Sequence, residues 1–351
     1  MQDNVFVQGL AFSVGSFLVG ITVLSAIRSF VLPRNESVLL SNLVFQSIRR
    51  VFTYLASLGR TYEQRDKVMA LYAPVGLVAL PIAWLGVVSL GYTIIFWALN
   101  EGDLERCYRI SNSSLLTLGS EEPSKHGLAN VMSYSEATLG LLLLTLLISY
   151  LPTIYQAFSR RELTVARLEL RAGPKASAVD LLLWLNEANY LQDGGPQWQH
   201  WEEWFIEIEE THTSLPILSF FRSPQPGRSW VTTADIILNA SALIISTIDI
   251  PQNPQMVVCF KAGCVAMNRV ARFFEDSAKT KPAESISEYQ PDSNPHHSDF
   301  RDAYQQLAEA GLPLHPDEKA AWAKYQHLRT RYTHAITFLS KLTMAPETKP
   351  I

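Results

Sequence analysis

Three long uncharged stretches divide the sequence. There are 24 residues without a charged side chain between Asp3 and Arg28, 33 between Lys67 and Glu101, and 23 between Glu136 and Arg160. A helix needs about 20 apolar residues to cross the hydrocarbon of a bilayer, so each stretch predicts a spanning helix. The first, Val5 to Ile27, lacks the basic start and clean cleavage site of a leader and is read as a retained span. Its Gly9, Gly15 and Gly20 offer small surfaces for close helix approach. The second contains Pro74 and Pro81, which bend a spanning helix, and places Trp97 where an interfacial aromatic belt belongs. Between these two, Val38 to Leu58 sets apolar residues against Ser47, Arg49 and Arg50 at helical spacing, the pattern of an amphipathic helix on the inner membrane surface.

After residue 158 the pattern becomes that of packed helices. Ala178 to Tyr190, Trp198 to His212, Val231 to Ile250 and Met256 to Phe274 each carry helical periodicity. A polar, proline-containing linker follows over Lys279 to Ser298, and Asp299 to Ala310 and Pro316 to Leu342 close the chain. Val231 to Ile250 is apolar enough to pass for a fourth span, but it holds Asp235, Asn239 and Asp249. A charge near the centre of a spanning helix costs about 2.5–3.5 kcal/mol, so a buried core helix is expected instead. Strand signals are weak throughout. The expected fold is an all-α membrane protein of three transmembrane helices with one re-entrant pore loop, followed by a helical cytoplasmic domain. Its expected divisions are an N-terminal span (1–33), an amphipathic linker (34–67), a two-helix module (68–158) and the helical domain (159–351).

Charge orients these segments. The loop from Arg28 to Lys67 carries seven basic residues against three acidic ones, and Glu101 to Gly127 carries three against five. By the positive-inside rule the first is cytoplasmic and the second external, which places the N-terminus outside and the C-terminal domain inside a cell membrane. Arg160-Arg161-Glu162, with Arg167 and Arg171, ends the third span on the cytoplasmic side and reads as topology and lipid contact. Asn35-Glu36-Ser37 and Asn112-Ser113-Ser114 match glycosylation acceptors; the first lies on the wrong side and the second is read as lying inside the membrane. A net charge of −4 with no basic stripe argues against nucleic-acid binding. Cys107, Cys259 and Cys264 have no CxxC spacing, and Cys259 and Cys264, on one expected helix, read as core residues.

The external loop carries the candidate chemistry. Leu104 to Leu118 reads as a short amphipathic helix, followed by Gly119, an acidic turn and the last span. A short helix aimed into a membrane points its partly negative C-terminus at a cation. Thr117 offers hydroxyl and carbonyl oxygens, and Gly119 permits the backbone angles that aim carbonyls at an axis. Glu121 and Glu122 would concentrate cations at an outer mouth. Glu136, an ionisable residue within a span, is a functional candidate on that ground alone. The soluble region offers no catalytic set: Glu209, Glu210 and His212 fit an amphipathic surface, and His327 and His334, seven apart, fit one salt-bridged helix face. His296-His297 shows no metal-ligand spacing, and no dinucleotide, phosphate-loop or hydrolase signature is present. The expectation is a non-enzymatic protein without metal or other cofactor.

On these residues, 68–158 resembles the two-helix pore module of the potassium channel superfamily. Thr117-Leu118-Gly119 is similar to the first half of that family's filter motif, Thr-Val-Gly-Tyr-Gly, and Ser113-Ser114 to the hydroxyl-rich end of its pore helix. The resemblance implies an ion pathway at Thr117, Leu118, Gly119 and Ser120, an outer mouth at Glu121 and Glu122, and an inner-helix hinge at Gly140. It also implies a homotetramer, since one loop cannot enclose an axis, with monovalent cations and membrane lipid as partners. Ser120-Glu121-Glu122-Pro123 stands where the family has an aromatic, a glycine and an aspartate. The expected function is therefore a cation (potassium-like) channel subunit with an atypical selectivity filter, regulated or assembled by its cytoplasmic domain. The alternative is a non-conducting membrane-anchored scaffold or sensor with a degenerate pore.

Overall fold

The computed structural model describes residues 2–30, 39–124, 127–279, 297–346 and 351. The Asn35 acceptor and most of the Lys279 to Ser298 linker lie outside the described residues. Among the described residues there are fourteen α-helices and no strand, only a single bridge between Ile248 and Leu314. The chain divides into two compact units, Met1–Tyr155 and Gln156–Ile351.

The first unit holds α1 (Gln2–Phe30), α2 (Leu39–Ser57), α3 (Tyr62–Ala70), α4 (Tyr72–Ala98), α5 (Leu104–Leu115) and the first part of α6 (Gly127–Ala172). Helix α3 is an addition to the expected elements; it is short and mostly polar, and Thr61 caps it by accepting from the Gln64 amide. Pro74 falls in the first turn of α4, where a missing amide hydrogen costs little, and Pro81 falls inside the helix. Helices α1 and α4 approach until their backbones nearly touch. A Cβ built on Gly15 would lie 2.6 Å from the Gly91 carbonyl oxygen, whereas Gly9 and Gly20 face open space. Polar bridges flank this contact: Trp84 Nε1 donates to Ser25 Oγ at 3.2 Å, and Gln8 Nε2 donates to Asn100 Oδ1 at 2.7 Å.

Among the described residues four stretches are long and apolar enough to cross a membrane: Val5–Ser29, Tyr62–Ala98, Gly127–Ala172 and Trp230–Thr247. Their surroundings differ. The fourth has 94% of its residues buried by protein, against 28%, 44% and 17% for the other three. The outward faces of α1, α4 and α6 carry Phe6, Phe17, Ile82, Leu90, Tyr134 and Ile148, all exposed. Apolar surface on that scale marks a protein whose surroundings are apolar.

The second unit contains the end of α6, then α7 (Ala178–Glu187), α8 (Tyr190–Asp193), α9 (Gly195–Ser214), a 3-10 turn (Pro216–Phe220), α10 (Trp230–Thr247), α11 (Pro254–Lys279), α12 (His297–Glu309), α13 (Glu318–Arg329) and α14 (Thr333–Thr343). Ser177 and Asp180 form a reciprocal capping box that starts α7. Helix α10 is the axis of the core: every residue in it except Thr232 is buried. Its polar residues are matched. Asn239 Nδ2 donates to Asp235 Oδ1 at 2.7 Å, and Asn239 Oδ1 accepts from Tyr325 (3.1 Å), Arg329 Nη1 (2.6 Å) and Tyr332 (2.7 Å). Burial pushes the Tyr325 hydroxyl up to about 12 and the Tyr332 hydroxyl well above its usual range, so both stay protonated and donate. The segment from Pro316 to Leu342 is two helices rather than one. The break at Thr330–Tyr332 brings both tyrosines and Arg329 onto Asn239, and it puts His327 and His334 on separate helices.

Two further expectations are corrected here. Arg161 is buried, with a side chain only 3% exposed, and is not a lipid contact. It donates to the Leu218 carbonyl at 2.9 Å, the Phe221 carbonyl at 2.8 Å and Glu162 Oε1 at 2.9 Å. His212 is fully buried rather than part of a surface. Its Nδ1 donates to the Ile208 carbonyl at 2.9 Å and its Nε2 accepts from Arg161 Nη1 at 3.3 Å. Burial, with the neighbouring Arg161 charge, holds the imidazole well below its usual value and so neutral.

Candidate functional site

The site lies in the first unit and is built by α5 between α4 and α6. Asp103 caps α5 by accepting from the Arg106 amide at 3.0 Å, four residues after α4 gives way at Leu99. The helix then runs back along α4. Ser111 reaches Ser89, nine residues before the end of α4, about 13 Å down that helix at 1.5 Å per residue. At its other end Leu115 meets α6 at Gly140, thirteen residues, or about 20 Å, from the start of α6. A Cβ on Gly140 would sit 2.2 Å from the Leu115 carbonyl oxygen. Gly140 is thus the seat of α5.

The chain returns from this depth at once. Thr117 N–H donates to Ser114 O at 3.0 Å and Leu118 N–H to Ser113 O at 2.8 Å, the paired bonds that close a helix at a left-handed residue. That left-handed residue is Thr117, with φ +52. Glycine usually fills such a place, and a β-branched residue there is strained by about 1–2 kcal/mol. Gly119 follows, also left-handed at φ +65, with open space around it. Thr117, Leu118, Gly119 and Ser120 are all exposed. Among the described residues, the carbonyls of Thr117, Leu118 and Gly119 accept no hydrogen bond.

The returning strand is tied to α5 and to the end of α4. Glu121 N–H donates to Ser113 Oγ at 3.0 Å, and its carboxylate lies 3.6 Å from Arg106 and 3.7 Å from Arg109. Glu101, buried, accepts from the Ser124 amide (2.6 Å) and hydroxyl (2.7 Å). Descent on α5 and return through 117–124 therefore form one braced hairpin against α4 and α6. Glu122 is exposed, while the charge of Glu121 is answered by two arginines.

Behind the hairpin sits a buried carboxyl. Glu136, fully buried on α6, accepts from Ser111 Oγ at 2.5 Å; the same hydroxyl lies 3.0 Å from the Ser89 carbonyl. Its other oxygen, Oε2, has no hydrogen-bond partner among the described residues. Hydroxyl pairs flank it, Tyr92 with Ser135 at 2.8 Å and Ser114 with Ser133 at 2.7 Å. Sequence reasoning singled out Glu136 but not its partner. The signal was present in the serine content of α5 (Ser111, Ser113 and Ser114), all three of which are buried.

Comparison with known proteins adds no further guide: no family model, curated protein or solved structure matches this chain.

Proposed function

We propose that this protein is a cation channel subunit in which α5 and the return through Thr117–Ser120 form a re-entrant loop between two of three membrane spans. The observation that carries the reading is the turn itself. Three successive carbonyls, without partners among the described residues, stand at the C-terminal end of a helix seated against Gly140, about 20 Å from the start of α6. Non-helical backbone at such depth survives where it lines water or is enclosed by protein. A helix C-terminus and free carbonyl oxygens are suited to a partly dehydrated cation. Because one loop cannot surround an axis, the working unit is an oligomer of identical chains, taken as a tetramer. Helix α10 is assigned to a cytoplasmic domain and not to the membrane, since Asn239 is satisfied by α13 and the turn that follows it.

The rival reading is a membrane-anchored scaffold with a closed pore remnant. It is favoured by the pairing of Glu121 with Arg106 and Arg109, which removes charge from the mouth. Flux from purified protein in liposomes separates the two. A channel gives cation flux that Gly119→Val abolishes, because a β-branched residue resists φ +65. Absence of flux in wild-type protein under any membrane potential or lipid supports the scaffold.

A further inference from the structure

Among the described residues the surface of the second unit carries few large apolar side chains, and three of the seven exposed ones stand on α11: Val257, Val258 and Val265. The exposed positions of that helix between residues 257 and 272 are Val257, Val258, Lys261, Val265, Arg269 and Arg272. At 3.6 residues per turn they fall within one stripe about 120° wide. Over these residues the stripe joins three valines to three cations; one turn beyond Arg272 the exposed Asp276 closes its C-terminal end.

Beside the C-terminal half of the stripe is a groove of about 410 Å³, to which the turn between α13 and α14 adds Arg331. This wall is fixed: Asn268 Nδ2 donates to the Arg331 carbonyl at 2.7 Å, and the Arg331 guanidinium lies 5.5 Å from the centre of the Phe260 ring. Arg269 is held by Glu209 at 2.5 Å. Glu275, one turn beyond Arg272, is engaged by His334 at 3.2 Å. Among the described residues Arg272 and Arg331 have no carboxylate partner, so the groove keeps an excess of positive charge.

We propose that the exposed face of α11, together with Arg331, docks on the anionic phospholipid headgroups of a bilayer. Guanidinium forks match phosphate oxygens in pairs, and the adjoining valines fit the boundary between headgroups and acyl chains. A soluble phosphate would use the cations and leave the valines bare. The bilayer is also the anion at the highest local concentration, because the same chain carries the apolar helices that enter it. The proposal rests on the multi-pass membrane reading and is independent of conduction.

The test uses full-length protein in nanodiscs, with a spin label at Val258→Cys; the three natural cysteines are buried. Discs of phosphatidylcholine alone are compared with discs containing phosphatidylglycerol. Docking predicts that phosphatidylglycerol shields the label from a water-soluble relaxing agent and opens it to oxygen dissolved in lipid. Each of Lys261→Ala and Arg272→Ala, both at exposed positions, should weaken the response about fivefold. A label that ignores lipid charge overturns the proposal. So does shielding reproduced in phosphatidylcholine discs by added inorganic phosphate, which would make the ligand a free anion. Shielding that grows with protein concentration in either lipid overturns it too, in favour of a second copy. Co-elution of the protein with disc lipid is scored first. A chain that fails to enter discs overturns the membrane reading and the docking together, whereas a chain in the disc with an indifferent label overturns the docking alone.

Discussion

The two units use their apolar helices in opposite ways. In Met1–Tyr155 large apolar side chains face outward while hydroxyls and carboxyls, among them Ser89, Glu101, Ser111 and Glu136, are buried. In Gln156–Ile351 the apolar side chains turn inward around α10, and the exposed ones are few. Each unit buries polar groups, and two single residues, Asn239 and Glu136, are matched to different degrees. Asn239 on α10 is saturated by three donors and gives a hydrogen to Asp235. Glu136 on α6 has one close partner and leaves Oε2 unmatched. A saturated buried polar group fixes a fold, because removing any member strands the rest. A half-satisfied one needs another explanation, and in a membrane unit the default explanation is function.

The largest effect expected from this contrast is at Asn239. Asn239→Leu removes the shared acceptor of Tyr325, Arg329 and Tyr332 and leaves a buried guanidinium poorly matched. The second unit should lose about 3–5 kcal/mol, read by denaturant unfolding followed through its tryptophans. A cost near zero would mean that the network is a bystander.

Next comes the seat of α5. Gly140→Leu drives a side chain into the Leu115 carbonyl and should destabilise the first unit by about 1–3 kcal/mol. Gly119→Ala meets no neighbour and pays only for its left-handed backbone, about 1 kcal/mol. Thermal melts of the two variants in one detergent should therefore fall in that order. The reverse order would show that the turn, not the seat, holds the hairpin.

A smaller effect is expected from acid on the second unit. His212 is held neutral in the folded protein while the unfolded chain binds a proton below about pH 6.5. The unfolded state thus gains protons first as pH falls, and stability drops from about pH 6.5 downward by up to about 1.4 kcal/mol per pH unit. His212→Gln should flatten this slope. Trp230, whose ring centre lies 4.5 Å from that of His212, provides the fluorescence signal.

The smallest stability change belongs to Glu136→Gln. An amide can keep the hydrogen bond to Ser111, so the melt should move by no more than about 1 kcal/mol. Cation flux should nonetheless change. Flux that matches the wild type would place Glu136 among structural groups, on the same footing as Asn239.

Sequence pattern made the spans and the short helix visible because burial in lipid needs long uncharged runs and α5 carries its own cap at Asp103. Asp235 and Asn239 also marked α10 as a helix whose polar groups need partners, and the structure supplies them. What escaped it depended on partners distant in the chain. Arg161 reads as a membrane-edge cation until the carbonyls of Leu218 and Phe221 are seen to close on it. His212 reads as surface because it follows a run of glutamates, and its partner is 51 residues away. The break at Thr330–Tyr332 carries neither glycine nor proline; its cause is the convergence of three side chains on Asn239. The left-handed Thr117 was equally hidden, since no local rule places a threonine where helices end on glycine.

In the proposed channel the turns at Thr117–Ser120 from several chains meet around one axis. Leu118 is 64% exposed at the tip of that turn, and the natural cysteines are buried. The direct measurement is oxidative cross-linking of Leu118→Cys in lipid, with the native mass of the assembly determined on the same sample. The account predicts a mass of several chains, taken as four, and disulfide-linked pairs that vanish on reduction and are absent from the unmodified sequence. A monomer mass with no cross-link would contradict it.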